Sequence, residues 1–168
     1  MVGCGGGTPG GGATMNDTQA TALATLVNTD RKTAGKTELN RSTEAEAILA
    51  DYAKAMVDYF SNRNDDETQK AFKAAGNAAM TSLAQLKIDG KQIDMDQSVM
   101  AVGIGDKGPV TPSDIKAKAQ NTMTKVDGEL VKKDTWKLMV SADGSYLAVV
   151  WAEKGNSTVA IVMNIVLK

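Results

Sequence analysis

Histidine is absent from this 168-residue chain, cysteine occurs once, and aromatic side chains are few: two Phe, two Trp and three Tyr. Without histidine, Ser-His-Asp and Cys-His catalysis, imidazole metal sites and imidazole proton switching are all excluded. A single cysteine permits no internal disulfide and no cysteine-rich zinc site. With so few aromatics, the core falls to aliphatic side chains and to the nine methionines. An excess of either charge is also lacking. The 19 basic and 20 acidic residues leave a net charge of −1 without a long run of either sign. That removes the electrostatic footprint of a nucleic-acid binder. No apolar run approaches the roughly 18 residues of a transmembrane helix. For an enzyme only carboxylate or Ser/Lys chemistry remains, and no spacing supports it. The chain reads as non-catalytic and without a cofactor.

What is present is concentrated near the C-terminus. Thr135 to Leu167 carries the densest apolar pattern and reads as three consecutive antiparallel strands. Asp143-Gly144 is a strong type I′ hairpin signal, because both positions tolerate positive φ. With that pair as a two-residue loop, Val140 faces Leu147, Leu138 faces Val149, and Trp136 faces Trp151 as a cross-strand pair. The loop Glu153 to Asn156 then leads into Thr158 to Leu167. Parity sets Ala160, Val162 and Val166 on the tryptophan face. Val159, Ile161, Met163, Ile165 and Leu167 point the other way, beside Val150, Ala148 and Tyr146. Strands apolar on both faces must be covered on both faces. The chain's own helices supply one cover, and further chain or a partner the other. Val159, Ile161, Met163 and Ile165 are therefore a candidate partner or ligand surface.

Upstream, Thr43 and Glu46 form a capping box, and Ile48, Leu49, Tyr52, Met56 and Phe60 have helical spacing. They predict a helix from about Glu44 to Ser61. Asn64 and Glu67 make a second box before Ala71, Phe72, Ala75, Ala79, Met80 and Leu83, a helix reaching about Leu86. The short break at Asn62 to Asn64 makes the two an antiparallel hairpin. Ser98 to Ile104 reads as a buried strand, Thr111-Pro112 as the start of a short helix, and Val126 to Glu129 as a second hairpin turn. That turn should lead through Leu130 to Lys133 into the first of the three C-terminal strands. Ala20, Leu23, Ala24 and Val27 allow a short amphipathic helix.

Three stretches invite a binding-site reading. Asp30 to Thr37 (DRKTAGKT) holds Gly35-Lys36-Thr37, but a phosphate loop needs Gly where Asp30 stands and a buried strand before it. It reads as polar linker. Asp65, Asp66 and Glu67 are explained by the macrodipole of a first helical turn. Asp94 and Asp96 would share a strand face, as paired carboxylates in a hydrolase or calcium site do, but the rest of a calcium loop is missing.

Met1 to Gly12 holds seven glycines and one proline and cannot form a packed element. Within it, Val2-Gly3-Cys4 followed by Gly5-Gly6-Gly7 resembles the end of a bacterial lipobox, the motif cut just before a cysteine that then carries lipid. The resemblance covers four residues and a composition bias. It implies a bacterial lipoprotein, lipid-modified at Cys4 and held on a membrane of the cell envelope by that lipid. Met1 stands where the motif carries Leu. The resemblance accounts for this by a start assigned downstream of the native one, since a basic start and an apolar segment precede a lipobox.

Together these readings give an α+β protein, an N-terminal helical hairpin packed on a C-terminal antiparallel β-meander of four to five strands. Residues 1–40 form a Gly-rich tether and polar linker, and residues 41–168 a single domain. The expected function is a cell-envelope lipoprotein whose domain binds a protein or an apolar ligand. The alternative is a structural subunit of a virion or extracellular filament, self-associating with the Gly-rich arm laid on a neighbouring copy. Neither reading involves nucleic acid.

Overall fold

The computed structural model describes residues 12–168, and the fold is α+β. Its elements in chain order are β1 (Thr14–Met15), α1 (Asp17–Thr33), α2 (Thr43–Ser61), α3 (Asp66–Gln85), β2 (Lys87–Ile88), β3 (Lys91–Gln92) and β4 (Val99–Gly105). There follow α4 (Pro112–Gln120), β5 (Thr122–Val126), β6 (Glu129–Lys133), α5 (Thr135–Ser141), β7 (Tyr146–Lys154) and β8 (Ser157–Ile165). Four strands form one antiparallel sheet in the order β1-β7-β8-β4, and β2-β3 and β5-β6 are separate two-stranded ribbons.

The sheet is coated by helices on both faces, as the two-sided apolar pattern of β7 and β8 requires. One face holds Leu147, Val149, Trp151, Ala160 and Val162 against α1, α4 and α5. The other holds Ala148, Val150, Ala152, Val159, Ile161, Met163 and Ile165 against α2, with α3 packed outside α2 as the other arm of a helical hairpin. The predicted division of side chains between the two faces matches this arrangement.

The helix starts follow from their caps. Ser42 rather than Thr43 caps α2 and accepts from the Ala45 N–H at 3.3 Å. Asp65 rather than Asn64 caps α3, accepting from the Glu67 N–H at 3.0 Å. At α4 the expected start is found, a reciprocal capping box between Thr111 and Asp114 with Pro112 in the first turn.

Thr135 to Ser141 departs from expectation: it is the helix α5, not a strand. Asp134 accepts from the Lys137 N–H at 2.8 Å and starts the helix. Its far end is held by Arg31, which is 1% exposed and donates to the carbonyls of Met139, Val140 and Ala142. Asn164 Nδ2 donates to Met139 O at 2.7 Å. A guanidinium at a helix C-terminus opposes the negative end of the dipole. Trp136 and Trp151 consequently share a core without facing each other across a hairpin. Gly144 is not at positive φ. Glycine is required there by close approach, since a Cβ would lie 2.0 Å from Asn164 Oδ1 and 2.7 Å from Leu39 Cδ1. Two-residue turns with positive φ at both positions are found instead at Asp127-Gly128 (51° and 88°), joining β5 to β6, and at Asp89-Gly90 (53° and 76°), joining β2 to β3.

Two further corrections concern the ends of the sheet. The packed fold begins well before residue 41, because Ala20, Leu23, Ala24 and Val27 of α1 are buried in the same core as Trp136. The sheet is also not a meander, since only β7 and β8 are joined by a tight turn, at Gly155-Asn156.

Candidate binding surface

Helix α2 lies across β7 and β8, and it buries Val159, Ile161, Met163 and Ile165 to 2% exposure or less. The candidate partner surface is thus core beneath the chain's own helix, and it offers no face to a ligand. Cys4 lies outside the described residues. Asp94 and Asp96 share no strand: Asp94 Oδ1 accepts from the N–H groups of Asp96 and Gln97 at 3.1 and 3.2 Å and shapes a turn. Among the described residues no group of three or more Asp, Glu, Cys or His side chains is placed to hold a metal ion.

Attention therefore moves from the faces of the sheet to its edges, which differ. Along the outer edge of β7 the backbone is met at successive points. β1 pairs with Glu153 and Ala152, and the Asn16 N–H donates to Trp151 O at 2.8 Å. At the other end, Leu147 N–H donates to Asn40 O and Ser42 N–H to Leu147 O, both at 2.8 Å. Between these segments an ion pair takes the place of a strand. Glu46 Oε2 accepts from the Val149 N–H at 2.9 Å, and Arg41 Nη2 donates to Val149 O at 3.2 Å. The two side chains are joined at 2.6 Å, and Arg41 also reaches Thr21 and Asp17. Burial alone would lower the Arg41 pKa, but the hydrogen bonds and charges of Glu46 and Asp17 outweigh it and raise it. Glu46, expected as a capping residue, is in fact a seal on the sheet. The recess beside this pair, lined by Ala20, Ala47, Val150 and Trp151, encloses about 240 Å³, less than the several hundred Å³ of a typical ligand pocket.

The other edge is β4. Its seven residues pair with β8 in an unbroken register from Val99↔Asn164 to Gly105↔Thr158. Because ladder bonds alternate, every second residue turns its N–H and C=O away from β8. Among the described residues, no hydrogen bond from outside the β8 ladder reaches this backbone. Edge strands are ordinarily protected by charge, proline, a bulge or a covering segment. Val99–Gly105 contains no charged residue and no proline, and its register has no bulge. On one face Ala101 and Gly103 are buried under α4 and α5, and a Cβ at Gly103 would strike Ile115. On the opposite face Val102 is 37% exposed between the half-buried Met100 and Ile104. Sequence reasoning read Ser98 to Ile104 as a buried strand, and a strand is found at Val99–Gly105, but at an edge of the sheet. An apolar run gives no signal that one side of its backbone lacks a partner.

Two other surfaces are less suited to binding. A polar depression at Asn62, Arg63, Asp106 and Asn156 has its charges already paired, Arg63 with Asp106 at 2.9 Å and Lys154 with Asp58 at 3.0 Å. The β5-β6 ribbon exposes Met123 (57%) and Leu130 (70%) beside Lys125 and Lys132. Among the described residues it is a lone hairpin, with no other strand paired to it.

The stretch Asp30 to Thr37, expected as linker, is structural. Asp30 lies in the last turn of α1 and accepts from Trp136 Nε1 at 2.8 Å and Lys116 Nζ at 2.7 Å. Burial alone would raise the Asp30 carboxyl. The hydrogen bonds from Lys116 and Trp136, with the Lys116 charge, outweigh it and hold the carboxyl below its ordinary value. Lys36 pairs with Asp143 at 2.7 Å.

Comparison with protein-family models, with curated proteins and with solved structures finds no match. Among the described residues no helix is long and apolar enough to cross a membrane.

Proposed function

We propose that the protein is a non-catalytic lipoprotein of the bacterial cell envelope, anchored by lipid on Cys4, whose α+β domain binds protein through the open edge of its sheet. The observation that carries the binding half is β4, seven uncharged residues whose outer backbone has no partner among the described residues, in a sheet whose opposite edge is met by hydrogen bonds along its length. Main-chain hydrogen bonds along such an edge supply affinity for an extended segment, and alternate side chains supply specificity. A protein partner suits the domain better than an apolar ligand, because both apolar faces are already covered and the recess at Arg41 and Glu46 is small. The anchor half is supported by Val2-Gly3-Cys4-Gly5 and the glycine-rich stretch after it, a composition suited to a flexible spacer.

The test is made in the native cell. Intact mass of the membrane-bound form should show a chain beginning at Cys4, heavier by a diacylglyceryl group. A photo-crosslinking residue in place of Val102 should give a protein adduct, and one in place of the exposed Lys73 should not. An unmodified soluble chain overturns the anchor. Equal yields at the two positions overturn the edge as a binding surface.

A further inference from the structure

We propose that the strand completing the open edge is β4 of a second copy of this chain, paired antiparallel about a twofold axis at Val102. The proposal rests on the reading above that the edge binds protein, and it names the partner. An antiparallel strand is complementary to itself under a twofold, because each outward N–H and C=O of one copy meets its counterpart in the other. The side chains agree with that symmetry. With Val102 opposite Val102, Met100 falls opposite Ile104, both half-buried, and Ala101 falls opposite Gly103, both buried. Each face of the joined sheet thus continues apolar against apolar, and Val102, 37% exposed in one copy, is covered by its own image. No charged residue in Val99–Gly105 opposes the pairing.

The outcome is a continuous eight-stranded sheet, two strands of which are the paired β4 edges.

Sedimentation of the full chain carrying Cys4→Ser, which removes both lipid and thiol crosslinking, tests the proposal. A concentration-dependent monomer–dimer equilibrium is expected. Val102→Lys and Val102→Glu should each weaken it by about tenfold or more, since a charge on an edge strand blocks edge-to-edge pairing. Val102 lies outside both buried clusters, so these variants should retain the parent circular dichroism. Leu130→Lys, on the exposed ribbon, should leave the equilibrium unchanged. Met100→Glu should weaken the dimer and Ile104→Lys added to it should restore it, which fixes the register, because the twofold sets Met100 of each copy opposite Ile104 of the other.

A parent chain whose dimer is weaker than about 1 mM, or a dimer indifferent to Val102→Lys, overturns the proposal. So does a monomer that dimerises only after deletion of residues 1–11, because the edge would then be occupied by the chain's own arm. A monomer that still gives adducts at position 102 with a different protein overturns the second copy and leaves the edge-binding function standing. Absence of both dimer and adduct overturns the two together.

Discussion

Along β7 the outer backbone of Leu147, Val149, Trp151 and Ala152 to Glu153 is met in turn by Asn40 and Ser42, by Arg41 and Glu46, by Asn16 and by β1. Along β4, a strand nearly as long, the corresponding groups meet nothing among the described residues. Both strands lie in the same sheet, and both have an apolar face packed under helices. The difference is in how the backbone is finished. On β7 the gap between two short extended segments is too narrow for another strand, and a half-buried ion pair supplies one donor and one acceptor instead. Unpaired backbone groups are tolerated only where water or a partner can reach them. The β4 edge meets that condition by facing outward.

The two strands should differ most in the core beneath them. Ile161→Ala should cost about 3–4 kcal/mol in urea unfolding, as buried aliphatic truncations do, because Ile161 is fully buried under α2. Val102→Ala, one strand away on the same face, should cost under about 1 kcal/mol. Equal losses would mean that β4 is as enclosed as β8.

Next in size is the seal. Arg41→Ala should destabilise by about 2–3 kcal/mol, because it leaves the largely shielded Glu46 carboxylate with no opposing charge and Val149 O without its donor. Glu46→Gln should cost only about 1 kcal/mol, since the amide oxygen still accepts from the Val149 N–H. If Arg41→Ala proves neutral, the pair is incidental and the contrast between the two edges loses its physical basis.

A smaller effect concerns the helix layer that spans from β7 to β4. Asp30 ties α1 to α4 and α5 through Lys116 and Trp136, and its pKa is lowered from the ordinary 3.8. A depressed carboxylate contributes stability that is fully present above the unfolded value and is lost as pH falls through the lower folded value. Unfolding free energy should therefore drop below about pH 4, and Asp30→Asn should flatten that acid limb while leaving stability at lower pH unchanged. An unaltered acid limb in the variant would remove Asp30 from the account.

Much of this fold is legible in the chain. The helical spacing of Leu49 and Met56, the cap at Thr111-Pro112 and the two-faced alternation of Val159 to Ile165 each depend on neighbours in sequence, and each is found. Even α1 is foreshadowed by Ala20, Leu23, Ala24 and Val27. What is not legible depends on distant partners. Thr135 to Ser141 alternates well enough for a strand, yet Arg31, more than a hundred residues upstream, satisfies its last carbonyls and holds it as a helix. Asp143-Gly144 has hairpin composition, but its glycine is needed for the contact with Asn164. Glu46 has capping-box spacing and is diverted to Val149. The candidate site was missed for the same reason, because whether a strand is an edge is decided by topology and not by its own residues.

Hydrogen–deuterium exchange of the full-length Cys4→Ser chain, followed at low and high protein concentration, reports on the two edges in one experiment. An open β4 edge predicts that those amides of Val99–Gly105 that do not bond to β8 exchange readily when dilute and gain protection as concentration rises, while Tyr146–Lys154 stays protected throughout. Protection of Val99–Gly105 that is already complete in the dilute monomer would contradict it, because the edge would then be closed and have no strand to accept.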